Sequence, residues 1–537
     1  MTNTARASLV LLNARVLTPS KGRGPGPCHA QAVAVAGDTI IGVGGNSIIS
    51  AMAGEDARTV DCAGMTLIPG MVDSHCHLLA MAASLQGLDC GPAAISSIHQ
   101  LRQVLQQEAG ATPQGQWVRG FGYDDGAFSE NRHPNRWDLD QAAAQHPVRL
   151  DHRSGHASVL NSQGLELAGI TRDTPDPADG VIHRDPATGE PTGLLLEMAG
   201  FLRDRLGVTR NPAQFDRGVE SLNTRLLSYG ITSVQDAGPS NGLDRWQTFA
   251  QLQERGLLSC RITMMAGASR LSELQRAGFV WRLGDMWLRL AHVKIMLTFT
   301  TGTMAPDTEG LRELVAAAHS AGFPVAIHAV EREAVAAAAR VIESEMGSIL
   351  AAEADHPFSG PWDRIEHCAE CPPDLVDLVR RSGAWVVTQP GLIYWHGDEY
   401  NTRVEPPLLP HLYPVGTLSR AGIPVAFGSD APVTDPNPWP AIYAAVTRGT
   451  RSGATVPPVE EDGRVDVQRI PVREALRMYT EAGAQSEGTE DDKGTIETGK
   501  LADLILLDND PFEVATADLA VIRPVLTIIG GQVVWEG

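Results

Sequence analysis

At 537 residues, with 43% hydrophobic and 20% charged residues, the chain has an ordinary globular balance and too much length for one small core. A formal net charge of −21 argues against nucleic acid or an anionic membrane surface as partner, because both need a cationic face. No apolar run reaches the roughly 18 residues of a membrane span, no signal-like pattern opens the chain, and the seven cysteines are scattered and odd in number, so a cytoplasmic protein without a disulfide scaffold is expected.

Leu9–Leu17 and Ala32–Val43 alternate in strand fashion. From Thr66 onward, short runs rich in Val and Ile alternate with amphipathic helical stretches. The predicted core strands are Thr66–Asp73, Ile231–Asp236, Arg261–Ala266, Leu290–Leu297, Pro324–Ala329, Arg364–Cys368, Trp385–Gln389 and Pro424–Ser429. Helices are predicted over Pro212–Tyr229, Thr308–Ala321, Glu331–Glu345 and Pro373–Ser382, separated from strands by turn pairs such as Ala321-Gly322 and Ser382-Gly383. Eight buried strands with intervening helices predict an α/β fold, a distorted (β/α)8 TIM barrel over residues 66–84 and 206–489. The interval between the first and second strands is too long for one helix. Residues 85–205 are therefore expected to form an insertion over the barrel mouth. Ala502–Leu507 and Val525–Val534 alternate again, so residues 1–65 and 490–537 are expected to pair into one small β-sandwich.

The first core strand runs into Asp73-Ser74-His75-Cys76-His77. Side chains at i and i+2 of a strand share a face, so His75 and His77 aim two imidazoles at one point, a pair suited to zinc or iron. Barrel enzymes place their chemistry at the C-terminal ends of the strands. Strand five ends in His328, strand six in His367 and strand eight in Asp430, and strand four carries Lys294. Each residue alone reads as a satisfied polar side chain; together, at the same end, they read as a site. Lys294 is one of only four lysines, against 39 arginines, and it lies in the apolar run His292–Leu297. A buried lysine is costly unless paired or chemically changed. Cys368 and Cys371 form a lone C-x-x-C without the second pair that a zinc site would need.

These residues resemble the pattern of the amidohydrolase superfamily, and of amidohydrolase family 3 in particular. The resemblance spans nearly the whole chain. It is carried by Pro69-Gly70-Met71-Val72-Asp73-Ser74-His75-Cys76-His77, Gly155-His156-Ala157-Ser158-Val159-Leu160-Asn161-Ser162, Gln389-Pro390, Gly428-Ser429-Asp430-Ala431-Pro432, and the tail from Gly494 to Leu504. It implies that His75, His77 and Asp430 bind one metal, that His328 and His367 bind a second, and that a carboxylated Lys294 bridges the two. The divalent metal expected is zinc, one or two ions. An ammonium has only donors, whereas a carbamate offers two oxygens and a negative charge. A bound metal lowers the pKa of water to roughly 7, giving an activated hydroxide that attacks a polarised carbonyl, with Asp430 passing the proton to the leaving nitrogen. The plainer roles are a snorkelling or ion-paired Lys294 and an Asp430 that is a ligand only.

Two features depart from the family. The residues after Lys294 read Thr298-Phe299-Thr300-Thr301-Gly302-Thr303-Met304 instead of an Asp-Gly-Ser type loop and a longer lid. In addition, His328-Ala329-Val330-Glu331 resembles the His-x-x-Glu of the single-metal deaminases, where that glutamate shuttles protons. The competing reading of Glu331 is a helix-opening residue beside the N-terminal dipole. Candidate substrate contacts are His156, Arg153, Tyr123 and Trp395. The expected function is a metal-dependent amidohydrolase cleaving a C–N bond of a small molecule, an amide, formamide, carbamate or urea. The alternatives are a deaminase of an N-heterocycle using Glu331 and a non-catalytic scaffold. A homo-oligomer, by default a two-fold dimer, is expected.

Overall fold

In the computed structural model, which describes residues 6–18, 30–177, 180–206, 212–299, 302–352, 362–458 and 467–537, the run expected as one strand over Thr66–Asp73 is two strands. Thr66–Pro69 belongs to a terminal sheet and Met71–Cys76 to the barrel. Gly70 makes the change of sheet possible: a Cβ there would sit 2.2 Å from Thr232 Oγ1. Lys21, Cys28, Thr300 and Thr301 lie outside the described residues, so the centre of the 298–304 departure does too.

The barrel strands are β1 (Met71–Cys76), β2 (Ile231–Asp236), β3 (Arg261–Gly267), β4 (Leu288–Met296), β5 (Val325–Ala329), β6 (Arg364–His367), β7 (Trp385–Thr388) and β8 (Val425–Phe427). They form one eight-stranded sheet in chain order, each pair parallel. Just past the strands, Asp430 N donates to His75 O at 2.7 Å and His77 N to Ala431 O at 2.9 Å, bringing the first and last strands together in a nearly closed TIM barrel. The helices predicted around it form at Pro212–Ser228, Thr308–Ser320, Arg332–Ala352 and Pro373–Ser382. The last shows why. Pro373 opens it, Leu375, Val376, Leu378 and Val379 cover the barrel side, and Gly383 at φ 70° closes it in the left-handed region.

Two compact units result, Met1–His77 with Asn223–Leu297 and Thr308–Gly537, and Leu78–Leu222 with Thr298–Asp307. The first holds the barrel and two terminal sheets. One sheet joins Thr39–Gly44, Ala32–Ala36, Ala7–Leu12 and Ala53–Asp61; the other joins Arg15–Val16, Thr66–Pro69, Leu504–Leu507, Pro524–Ile529 and Gln532–Glu536. Leu9, Leu11, Val33 and Val35 from one sheet share a buried cluster with Leu67, Leu504, Leu506 and Ile528 from the other, so strands from both ends of the chain cover one another's apolar faces. The second unit is wider than the 85–205 expected for the insertion. It is built on a six-stranded sheet that includes Val118–Tyr123, Val148–His152 and Ala157–Leu160. The six described cysteines are free, and no helix among the described residues is long and apolar enough to cross a membrane.

Candidate metal centre

β1 delivers His75 within the strand and His77 one residue beyond its end, and their rings stand 5.4 Å apart. Asp430 follows β8. Its Oδ1 is 3.1 Å from His77 Nε2 and 3.5 Å from His75 Nε2. Ligand-type atoms of these three residues all lie within 4.8 Å of one another. The backbone forces this approach: a Cβ on Gly428 would fall 2.6 Å from His75 N, so β8 can pass this close to β1 only with glycine there. Asp73 fastens the junction, its buried carboxylate accepting from Ser429 N, Ser429 Oγ and His75 N at 2.9, 2.6 and 3.2 Å.

From the other strands, the His367 ring lies 4.8 Å from His75 and 4.4 Å from His328. Lys294, in β4, pairs across the sheet with Ala326, two residues before His328. His367 and Asp430 both sit at positive φ, 69° and 56°. That region costs a non-glycine residue of order 1–3 kcal/mol and is held only where the surroundings impose it. At His367 it solves a problem of alternation: Glu366 and His367 would face opposite sides of a regular strand, yet both meet His75.

Burial sets the electrostatics. It lowers His75 to about 3, with the Lys294 charge acting the same way, and it lowers His367 as well. Burial also lowers the Lys294 ammonium to about 8, against the opposing pull of Glu366 and Asp430. Burial alone would raise Asp430, but the His77 hydrogen bond and the nearby imidazoles reverse this and hold it well below the usual carboxylate range. His75 Nε2, His367 Nε2 and Lys294 Nζ are buried and have no hydrogen-bond partner among the described residues. Two unsatisfied imidazole nitrogens near the Asp430 carboxylate fit a cation-binding site, since buried polar atoms otherwise find partners. Glu331 lies one residue before the helix Arg332–Ala352, and its carbonyl accepts from Val335 N at 2.9 Å, as a helix-opening residue does.

The sequence reading missed the residues behind these. His75 Nδ1 is hydrogen-bonded to the Glu366 carboxylate, and His367 Nδ1 to Gln389 Oε1 at 2.9 Å. Glu366 is paired with Arg364 at 2.7 Å, and the side chains of His75, His367, Glu366, Gln389 and Arg364 are all buried. A signal was present, two opposite charges two residues apart on one face of the short strand Arg364-Ile365-Glu366-His367. Of the expected substrate contacts, Tyr123, Arg153 and His156 lie in the second unit. Tyr123 Oη is 3.0 Å from His133 Nδ1, Arg153 Nε 2.8 Å from Asp124, and His156 Nδ1 2.8 Å from Glu197. Trp395, on the helix Gly391–Arg403, packs against Arg451 and Tyr394.

The sequence profile of the amidohydrolase family matches residues 58–535. The N-substituted formamide deformylase of Arthrobacter pascens is 29% identical, covering 99% of each chain. The YtcJ protein of Bacillus subtilis strain 168 is 27% identical over 95% of this chain and 96% of its own. An uncharacterized metal-dependent hydrolase from Pyrococcus horikoshii OT3 shares the fold, with a TM-score of 0.72 at 23% identity over 95% of this chain and 99% of that one.

Proposed function

This chain belongs to the amidohydrolase family and is a metal-dependent hydrolase of C–N bonds; we propose that it cleaves an amide, formamide, carbamate or urea of a small molecule, with N-substituted formamides first among them. One observation carries the reading: residues from distant parts of the chain gather unsatisfied buried nitrogens around the Asp430 carboxylate. The end-to-end similarity to a formamide deformylase puts that bond ahead of the others.

His75, His77 and Asp430 would hold one cation, and His328 and His367 a second. Imidazole-rich donor sets suit zinc. When bound, such a cation acidifies a water to a pKa of roughly 7 and polarises a carbonyl oxygen. Lys294, lowered to about 8 by burial, would offer a larger fraction of neutral amine than an ordinary lysine, and a neutral amine can add to CO2. The new N–C bond would form as one C=O π bond of CO2 opens and the amine's proton passes to water, and the resulting carbamate would offer two oxygens as ligands. Asp430 stays ionised beside His77, so it can accept a proton from water and return it to the leaving nitrogen.

The test is release of amine from a panel of N-formyl, N-acyl, carbamate and urea compounds by natively purified enzyme. Formate and amine in equal amounts from N-formyl compounds are expected. Near-total loss in Glu331→Gln with Lys294→Ala tolerated would mark a deaminase instead. Protein purified without any bound metal would mark a scaffold.

A further inference from the structure

Behind His75, β6 builds a charged device inside the barrel. Glu366 Oε1 accepts from Arg364 Nε at 2.7 Å, and Oε2 accepts from Arg364 Nη2 at 3.1 Å and from His75 Nδ1. Arg364 is anchored further: Nη2 donates to Ser74 O at 2.8 Å and Nη1 to Gln235 Oε1. Gln235 in turn donates to Gly483 O at 3.1 Å and Ser486 Oγ at 3.3 Å. Arg364 and Glu366 are both 0% exposed. A buried ion pair seldom adds stability over apolar packing of the same volume, so its presence here asks for another reason.

We propose that Glu366, clamped by Arg364, is a positioning residue that fixes the tautomer and direction of His75 so that its Nε2 lone pair faces the metal. The proposal rests on the metal-centre reading above. Its logic is donor counting. An ionised carboxylate can only accept, and Glu366 takes two N–H groups of Arg364 while its Oε2 is hydrogen-bonded to His75 Nδ1. His75 Nδ1 must therefore carry a proton, which leaves Nε2 as the bare nitrogen, and that is the atom without a hydrogen-bond partner. Gln389 does the same for His367 with a neutral amide. His75 thus has a charged brace where His367 has a neutral one. Such supports behind a ligating histidine are commonly worth about 10–100-fold in metal affinity.

Glu366→Leu separates this role from packing, since the volume is nearly unchanged and no acceptor remains for His75 Nδ1. Without that acceptor the imidazole is free to carry its proton on Nε2, the wrong atom. Glu366→Gln keeps an acceptor: with its amide nitrogen toward Arg364 Nε, its amide oxygen can still take the His75 Nδ1 proton, as Gln389 does for His367. Chelator-stripped protein is titrated with zinc against a competing chromophoric chelator, and zinc content is measured by elemental analysis. The set is wild type, Glu366→Leu, Glu366→Gln and His75→Ala. The double variant Arg364→Met/Glu366→Leu removes the unpaired arginine that could unfold the single ones. Expected is a loss of zinc affinity of about 10–100-fold in Glu366→Leu and in the folded double variant, with Glu366→Gln closer to wild type. If Glu366→Leu or the double variant matches wild type within about threefold while His75→Ala is weak, the positioning role falls and the metal centre stands. If wild type binds no better than His75→Ala, the metal-centre reading falls and takes the proposal with it.

Discussion

Two groups among the described residues bring three metal-ligating side chains within 4.8 Å of one another, His75–His77–Asp430 and Asp124–Asp125–His152, and they are finished in opposite ways. In the first, the Glu366 carboxylate occupies His75 Nδ1, and His75 Nε2 is left bare at the centre. In the second, the charges neutralise one another. Asp125 Oδ1 is 3.1 Å from His152 Nε2 and 3.7 Å from His133 Nδ1, and Asp124 is held by Arg153 at 2.8 Å and Gly126 N at 3.0 Å. His152 Nδ1 meets Ser154 Oγ at 2.8 Å. Closeness of ligand-type residues does not by itself make a metal centre. What distinguishes the first is the tautomer: His75 Nδ1 faces a carboxylate, which leaves Nε2 bare, whereas His152 Nδ1 accepts from Ser154 N at 3.2 Å, which puts its proton on Nε2.

The largest expected effect is on chemistry. Asp430→Asn should lower kcat/KM for an N-formyl substrate by about 10^3-fold while near- and far-UV circular dichroism stay native, because it removes the proton-carrying carboxylate. Retained activity would remove Asp430 from that role. Next comes metal content. His75→Ala should lose zinc on dialysis against a chelator at concentrations that leave wild type loaded, whereas Asp125→Asn should keep the wild-type stoichiometry. Loss of zinc in Asp125→Asn would erase the contrast between the two groups.

The smallest effect is on stability at low pH. The His152 hydrogen bond, with the nearby His133 charge, lowers Asp125 to about 2 despite partial burial. A carboxylate lowered on folding contributes stability above its unfolded pKa near 4 and loses it as pH falls toward 2. Urea midpoints followed over this range should therefore fall more steeply for wild type than for Asp125→Asn, and near pH 7 Asp125→Asn should be the weaker of the two. Parallel curves would show that the pair carries no linkage; solvent screens so exposed a group, so the shift should be small.

Short buried runs rich in Val and Ile determined the eight barrel strands, amphipathic stretches the flanking helices, and apolar–polar alternation the strands at both ends of the chain, because such patterning is a local consequence of backbone geometry. Strand-end position likewise made His75, His77, Lys294, His328, His367 and Asp430 legible as candidates, since barrels concentrate chemistry at one rim. Tertiary structure alone decided the rest. It broke Thr66–Asp73 at Gly70, where Thr232 leaves no room for a side chain. It also turned Glu366 and His367, neighbours that alternation would send to opposite faces, toward the same imidazole through a left-handed backbone at φ 69°. A brace such as Arg364–Glu366–His75 joins residues almost 300 positions apart, and no local rule of strand or helix records which distant donors will meet one carboxylate.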